Sequence, residues 1–515
     1  MAVTDFLERG VLINPDGPCI IMEERQYTYR EMLSLVNRIA NALISAGYGF
    51  EQNAGVLSDN DPVGFACSMG IMRAGMAYIP MDFRNTKDEN HRILDFGDCE
   101  VLFYQSRFQD QVQQLRSKLP KLKLLLCIDK PMDDIPALMN WIGGVGDTPP
   151  KREVPLEATS WLQTGSGTSG DFKVTMISHR AYHASVASHL IWLPDPKPVM
   201  LVAAPITHAA GGFSYHVLAV GGTLVLMEKP EPQKVLSAIP RHRITKLFMP
   251  PTVIYRLLAQ PNVRDFDYSS LRYFIYTASP MSVEKLREAI EVFGPVLAQG
   301  YGQTECLGIA TMSPEDHFVD GKVAPDSRLY TCGHPAMPFC RVAIMDDNNE
   351  ELPLGEIGEI CARGDQVMTG YYKNPYATRE AIIDGWLHTG DVGFIDNEGF
   401  LHIVDRKKDM IVTGGFNVYG SEVESVISSF EEVQECAVIG VPDDDWGEAV
   451  KAVVQLVPGK SVSTEEIIAL CKKRIGSVKA PKSVDFVKNL PRNIRGKVLK
   501  RELRERYWKG QKRRI

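Results

Sequence analysis

Thr164-Gly-Ser-Gly-Thr-Ser-Gly-Asp-Phe-Lys173 carries the densest chemical signal in the chain. Gly165, Gly167 and Gly170 allow backbone conformations that a Cβ disfavours, so successive N–H groups can converge on one anion. Ser166, Thr168 and Ser169 add hydroxyl donors and Lys173 adds a compact positive charge, a set suited to a polyphosphate. The string also fits Gly-x-Gly-x-x-Gly, but a dinucleotide site needs a helix directly after the glycines. Here Val174-Thr-Met-Ile-Ser178 follows, rich in β-branched residues, so the context reads strand, loop, strand. A Walker loop fails because Asp171 stands where its lysine would follow Gly170. A kinase glycine loop lacks its downstream His-Arg-Asp and Asp-Phe-Gly partners. The plain alternative is a Gly/Ser hairpin with no ligand.

Working outward, 515 residues exceed what one core can hold, so two or more domains are expected. A net charge of −7 argues against nucleic acid as a partner, because binding phosphates needs a basic surface. The 10 cysteines form no Cys-x-x-Cys pair and no zinc spacing, which predicts reduced, buried thiols. The start, Met1-Ala-Val-Thr-Asp-Phe-Leu-Glu-Arg9, has no apolar run of signal-peptide length. No stretch offers the ~20 apolar residues of a membrane span, and a cytoplasmic protein is expected.

In chain order, Tyr27-Thr-Tyr-Arg-Glu-Met32 leads into Leu33, Val36, Ile39, Ala40, Leu43 and Ile44, the apolar face of an amphipathic helix. Short apolar runs at Ala54–Leu57, Val101–Tyr104 and Leu122–Ile128 alternate with helical stretches, which predicts parallel sheets covered on both faces. Val199–Pro205 reads as a buried strand running into Ile206-Thr-His-Ala-Ala-Gly-Gly212, where His208 is either a pocket wall or a hydrogen-bonded core histidine. Arg272–Pro280 and Val296–Glu305 repeat the pattern of a strand ending in small residues, where open α/β sheets bind ligands. Tyr301 offers a ring face there and Glu305 a hard oxygen for Mg²⁺, or else a salt-bridged glutamate in an ordinary loop.

Gly355–Gly364 and Met368–Pro375 suggest a small β-rich module, and Gly385-Trp-Leu-His-Thr-Gly-Asp391 ends in a carboxylate able to accept both ribose hydroxyls. Asp405-Arg-Lys-Lys-Asp-Met410 is a short polar run, followed by a sharp turn at Gly414 and Gly415. The domain boundary is placed at Lys408, giving domains 1–407 and 408–515. The second should hold a helix from Ser421, strands at Cys436–Val441 and Ala452–Leu456, and a helix after the capping box Ser463-x-x-Glu466. A basic end follows Pro491, where Lys497 after Gly496 can be presented into a cleft or lie on a solvated helix.

These residues together resemble the superfamily of adenylate-forming enzymes, which holds acyl-CoA synthetases, peptide-synthetase adenylation domains and firefly luciferase. The likeness runs from about Tyr27 to Arg501 and rests on five motifs in order: the phosphate loop, Tyr301-Gly-Gln-Thr-Glu305, Thr389-Gly-Asp391, Asp405-Arg-Lys-Lys-Asp409 and Gly496-Lys497. It departs at Phe172 and Val174, where the family loop commonly has proline and glycine, and at Gly165, where threonine is common. The resemblance implies an α/β fold: a large N-terminal domain of two helix-flanked β-sheets plus a β-barrel-like subdomain, then a small mobile α+β C-terminal domain. It implies an ATP-dependent acyl-CoA ligase that converts a carboxylic acid to acyl-AMP, releases pyrophosphate, and then passes the acyl group to coenzyme A. By the same likeness Thr168 and Glu305 hold Mg²⁺, and residues Gly165 to Gly170 with Lys173 guide pyrophosphate. Lys497 bridges carboxylate and α-phosphate; Ala278, Ser279, Pro280, Gly300, Tyr301 and Gly302 line the adenine; Gln303 and Thr304 also bind ATP; Asp391 and Arg406 bind ribose. The small domain pivots at Lys408 and brings Gly414 and Gly415 in to line a pantetheine tunnel.

Amino-acid-activating relatives carry an aspartate just after the position of His208, whereas this chain has Ala209, Ala210, Gly211 and Gly212. The likeness therefore implies an uncharged acid, with fatty, aromatic and steroid-type acids all open, beside His208, Ala209, Gly211 and Gly212. Coenzyme A is the favoured acceptor, because no carrier-protein segment follows Lys497 within the chain. The alternatives are an acyl-AMP ligase that loads a separate carrier protein, a nucleotide binder without turnover, and a light-emitting oxygenase. A homodimer is compatible with all of these readings.

Overall fold

The computed structural model describes residues 2–164, 172–443, 445–492 and 498–509. Helix starts follow local chemistry. Thr28 and Glu31 form a reciprocal capping box ahead of the helix Tyr29–Ser45, and Ser463 and Glu466 do the same for Thr464–Lys479. Asp61 caps Pro62–Arg73 by accepting from the N–H groups of Val63 and Gly64, with Pro62 at the first helical position.

Among the described residues, one sheet has seven strands in the order Gly370–Tyr371, Val174–Ser178, Thr159–Thr164, Ala77–Pro80, Asn53–Leu57, Cys99–Tyr104 and Leu124–Cys127. The last five run parallel. Val174–Ser178 is antiparallel to Thr159–Thr164, because these phosphate-loop strands are too close in sequence for a helical crossover, and Gly370–Tyr371 pairs antiparallel to Val174–Ser178 at the edge. A second sheet of nine strands has a parallel centre running from Leu297–Gln303 through Tyr273–Tyr276, Lys246–Met249, Val199–Val202 and Thr223–Leu226 to Pro18–Met22. Antiparallel strands close both its edges. The expectation of parallel sheets thus holds for the centres and gives way at the edges, where hairpins join consecutive strands.

One continuous core lies between the two sheets. It takes Val56, Tyr78, Phe103 and Trp161 from the first, Ile20, Met200, Phe248 and Ile275 from the second, and the buried faces of Tyr29–Ser45, Pro62–Arg73, His179–Trp192 and Ala209–Ala219. Separate cores cover the outer faces, one beneath Lys87–Phe96 and Gln109–Lys118, the other beneath Pro232–His242, Pro251–Leu258 and Val283–Phe293. The chain therefore builds five alternating layers of helix and sheet.

The β-rich module is an antiparallel sheet of Arg341–Met345, Gly358–Arg363, Trp386–Ile395 and Ile382–Ile383, with Leu401–Arg406 paired to Trp386–Ile395. After the short helical turn Lys407–Asp409 comes a compact α+β lobe. Its strands are Ile411–Thr413, Phe416–Val418, Val433–Asp443, Gly447–Leu456 and Ser483–Val487, with Gly420–Ile427 and Thr464–Lys479 against a core of its own. No described helix is long and apolar enough to cross a membrane. All 10 cysteines are buried free thiols, as the irregular spacing predicts.

Candidate active site

Several candidate residues lie just past strands of the two large sheets: His208 after Val199–Val202, Ala278–Pro280 after Tyr273–Tyr276 and Glu305 after Leu297–Gln303. Asn60, just past Asn53–Leu57, spans the gap between sheets: its Nδ2 donates to the carbonyls of Ala204 (3.0 Å) and Met227 (2.8 Å), and its Oδ1 accepts from Ile206 N–H at 2.7 Å. Thr207 Oγ1 donates to Met81 O at 2.7 Å, and Tyr78 OH reaches Thr207 O at 3.4 Å. The turn that carries His208 is thus pinned from the opposite sheet. His208 is buried, places Nδ1 2.9 Å from Thr207 O, and stands at the start of Ala209–Ala219.

Gly211 and Gly212 mark close packing rather than open space. A Cβ on Gly211 would lie 2.1 Å from Ile206 O, and one on Gly212 would meet the Tyr182 ring at 2.8 Å. The space beside both glycines is occupied here by the chain itself.

The carboxylate of Asp391 is the best-held group of the site. It lies mid-strand, 6% exposed, in register with Arg406 on the neighbouring strand. Its Oδ2 accepts from Tyr301 OH at 2.7 Å and from Gln303 Nε2 at 2.7 Å, while Arg406 Nε stands 3.4 Å from Oδ1. Burial and then the Asp391 charge push the Tyr301 phenol well above its ordinary value, so it remains a donor. Gln303 Nε2 also reaches Thr389 O at 3.1 Å. The strand Leu297–Gln303 turns back within a few residues, and Gly302 allows this: a Cβ there would lie 2.8 Å from Leu307 O.

Glu305 sits in that turn, between Leu297–Gln303 and Cys306–Met312. Tyr371 OH donates to its Oε1 at 2.8 Å, and Met368 N–H to its backbone carbonyl at 2.8 Å. The ammonium of Lys173 lies 4.8 Å from the centre of the same Tyr371 ring. Tyr371 therefore brings the lysine at the end of the phosphate hairpin and the glutamate of the second sheet to one spot. Burial, then Glu305, raises its phenol far above the usual value and keeps the proton on it.

Gly300 lies within Leu297–Gln303 and the turn Ala278–Pro280 follows Tyr273–Tyr276, the neighbouring parallel strand; a Cβ on Gly300 would lie 3.9 Å from Thr277. Ala278 has φ 74°, a left-handed conformation that non-glycine residues avoid, and the turn is solvent-exposed. Thr304 is half-buried beside Glu305.

Lys408 lies in the turn joining the β-rich module to the small lobe; burial, then the nearby Arg406 charge, lowers its pKa. Arg504 of the last helix donates to Lys408 O at 2.9 Å and pairs with Asp409. Ser421 N–H donates to Asp405 at 3.1 Å, and Lys500 pairs with Glu424 at 2.7 Å. Burial opposes the Lys500 charge, yet the surrounding Glu424, Asp405 and Asp409 carboxylates hold its pKa above the usual lysine value. Gly414 (φ 56°) and Gly415 (φ 81°) form a two-residue turn between Ile411–Thr413 and Phe416–Val418, both left-handed as such a hairpin needs.

Gly165, Ser166, Gly167, Thr168, Ser169 and Gly170 lie outside the described residues, as does Lys497. Among the described residues no three His, Cys, Asp or Glu side chains gather as a metal cage. Glu305 fits a magnesium ion that takes one or two protein oxygens and fills its remaining positions with phosphates and water. Asn60 and Tyr371 were not singled out from the sequence. Asn60 had a signal in the polar run Ser58-Asp-Asn-Asp61 after an apolar strand, whereas Tyr371 had only its glycine-rich neighbourhood.

Comparison with known proteins gives this geometry its context. The family model described as AMP-binding enzyme matches residues 7–372, and that of the AMP-binding enzyme C-terminal domain matches residues 422–497. The feruloyl-CoA synthase of an Amycolatopsis species is 34% identical over 505 residues, covering 97% of this chain and 98% of its own. The fatty acid–[acyl-carrier-protein] ligase ScoC of Streptomyces coeruleorubidus is 31% identical over 509 residues, covering 97% and 95%. Among solved structures, the amide bond synthetase McbA of Marinactinospora thermotolerans superimposes with a TM-score of 0.88 at 29% identity, covering 98% of this chain and 100% of that one. Fold and site thus define an adenylate-forming enzyme of two unequal parts. The chain belongs to the AMP-binding enzyme family, among its acid–CoA ligases.

Proposed function

We propose that this enzyme activates a carboxylic acid of fatty, aromatic or steroid type with Mg·ATP as acyl-AMP and transfers the acyl group to coenzyme A. The observation that carries the reading is the meeting of Lys173 and Glu305 across Tyr371, beside an Asp391 carboxylate already held by two donors. Oxide is a poor leaving group from an acyl carbon; when the carboxylate oxygen bonds the α-phosphorus and pyrophosphate leaves, the resulting mixed anhydride lets AMP depart in its place. On this reading Asp391 accepts from the ribose hydroxyls, with Arg406 beside it. Ala278 to Pro280 and Gly300 to Gly302 would line the adenine, with Gln303 and Thr304 also at the nucleotide. Lys173 and residues 165–170 would serve the polyphosphate, and Lys497 would bridge the substrate carboxylate and the α-phosphate. Thr168 and Glu305 would hold Mg²⁺, which supplies positive charge to the phosphoryl oxygens.

The acid would lie against His208 and the start of Ala209–Ala219. Gly211 and Gly212 would shape that wall by letting the helix approach Ile206 and Tyr182. Domains 1–407 and 408–515 would turn about Lys408, exchanging Lys497 for the Gly414–Gly415 turn when the thiol attacks. Transfer to a carrier protein is the second reading, favoured by the likeness to a carrier-protein ligase along nearly the whole chain. Pyrophosphate release across fatty, aryl and steroid acids, with coenzyme A or a phosphopantetheinylated carrier protein, tests both. Turnover stimulated by coenzyme A supports the first reading, stimulation by carrier protein alone the second, and no acid-dependent release refutes both.

A further inference from the structure

Phe172 directly precedes Lys173, and its ring is anchored to a different layer from the one the lysine meets. The ring packs edge-on to Phe96 at 5.3 Å between centroids and 83° between planes, and the Arg92 guanidinium lies 4.4 Å from its centre. It joins Met176 and Tyr372 against the outer core of the first sheet. Phe96 ends the helix Lys87–Phe96, which begins with a Thr86–Glu89 capping box.

That helix end is itself fixed. Asn53 Nδ2 donates to Gly97 O at 2.8 Å, and Lys373 Nζ to Phe96 O at 2.8 Å. Asp98 accepts from Tyr372 OH at 3.0 Å and pairs with Lys121 (2.6 Å) and Lys373 (2.7 Å). Tyr372 N–H closes the edge by donating to Val174 O at 2.7 Å. One residue on, the Lys173 ammonium faces the ring of Tyr371. Phe172 and Lys173 are consecutive, with Cα atoms about 3.8 Å apart, so a clamp on the first restricts where the second can stand.

We infer that Phe172 is a positioning residue: by locking the chain to Phe96 and Arg92 it places Lys173 for the β- and γ-phosphates of ATP. The inference rests on the reading that Lys173 meets the polyphosphate. Phosphate contact beyond the α-position distinguishes ATP from AMP, so the effect should appear with one nucleotide and not the other.

The test is calorimetric titration of the full chain with Mg·ATP and with AMP. Phe172→Ala is expected to weaken Mg·ATP roughly tenfold and leave AMP within about twofold, as lost alignment of one charge predicts. Phe172→Tyr should restore wild-type ATP affinity, and Arg92→Ala, at an exposed position, should weaken ATP about two- to threefold with AMP unchanged. Equal weakening of both nucleotides by Phe172→Ala would mark general structural damage and overturn the inference, as would unchanged ATP affinity. If Phe172→Ala does not fold, the Arg92→Ala ratio of ATP to AMP decides in the same way. A wild-type enzyme that binds neither nucleotide would refute the functional reading itself, an outcome visible before any variant is compared.

Discussion

Asp391 and Gly415 belong to the same proposed reaction but are built in opposite ways. Asp391 is buried in the middle of a long strand, and Tyr301 and Gln303 already aim their donors at it. Gly415 is at the tip of a short hairpin with nothing within 4 Å of where its Cβ would be. Phe416 next to it is 57% exposed and Trp446 across from it 44%. One region is assembled before any ligand arrives, whereas the other presents open apolar surface on a lobe whose Ser421 reaches Val404 and Asp405 across the boundary. A nucleotide cleft that serves two half-reactions needs a fixed floor and an exchangeable roof, and the two regions supply them on the proposed reading.

The sharpest way to break this contrast is Lys497→Ala. It should lower acyl-AMP formation by roughly 10²–10³-fold and leave thioester formation from supplied acyl-AMP within about twofold. Equal loss in both half-reactions would put the lysine in a shared floor rather than an exchanged roof. Asp391→Ala should behave as floor. Loss of a charged acceptor costs about 1.5–3 kcal/mol, so the KM for ATP should rise roughly 10–100-fold, and AMP inhibition should weaken in parallel.

Gly415→Leu should spare pyrophosphate release and suppress the thiol step, since its side chain would enter the open face; undiminished thioester yield would remove the tunnel. The neighbouring glycine separates space from strain. Both positions are left-handed, at about 1–2 kcal/mol for an alanine. A Cβ on Gly414 would also lie 2.2 Å from the Trp446 ring, so Gly414→Ala should destabilise the lobe by about 1–3 kcal/mol more than Gly415→Ala in urea titrations.

A last difference between the two parts is absent at neutral pH and grows on acidification. All 11 histidines lie at or before His402, so the small lobe has none. His179 accepts from Val3 N–H at 3.0 Å; burial, then the charge of His183, lowers its pKa to about 3. His189, stacked on His216, is lowered to about 3 by burial and then Lys246, and His216 is lowered well below the usual value by the same causes. Below about 6.5 the unfolded chain takes up protons that the folded core refuses. Stability of the large part should therefore fall by about 1.4 kcal/mol per histidine per pH unit, until the folded groups titrate. Hydrogen exchange at pH 7 and pH 5 should show the core between the sheets losing more protection than the strands of the small lobe, and His189→Phe should reduce the difference.

Much of this was legible in the chain. The β-branched run after Lys173 called for a strand, and Val174–Ser178 pairs with Thr159–Thr164 as a hairpin. The Ser463–Glu466 signature and the glycine pair at 414–415 are local devices whose partners lie within a few residues, so the sequence contains all of their physics. Asn60 showed in the sequence only as one member of a polar run after a strand, because its role is to join Ala204, Ile206 and Met227, contacts that exist only once two sheets face each other. Gly211 and Gly212 were legible as small but not as filled, since the atoms that fill them come from Ile206 and Tyr182.

The order of the motifs and the residue types within them were enough to fix the family, the alternation of strand and helix, and which side chains can carry charge to a nucleotide. Turn geometry, caps and periodicity act over a few residues, so they can be read along a line. Only the tertiary structure decided that Tyr371 stands between Lys173 and Glu305, that Asp391 is held by Tyr301 and Gln303, and that Phe172 is clamped by Phe96 and Arg92. Those pairings join segments far apart in sequence, and burial and close packing select them from many alternatives that the linear pattern leaves equal.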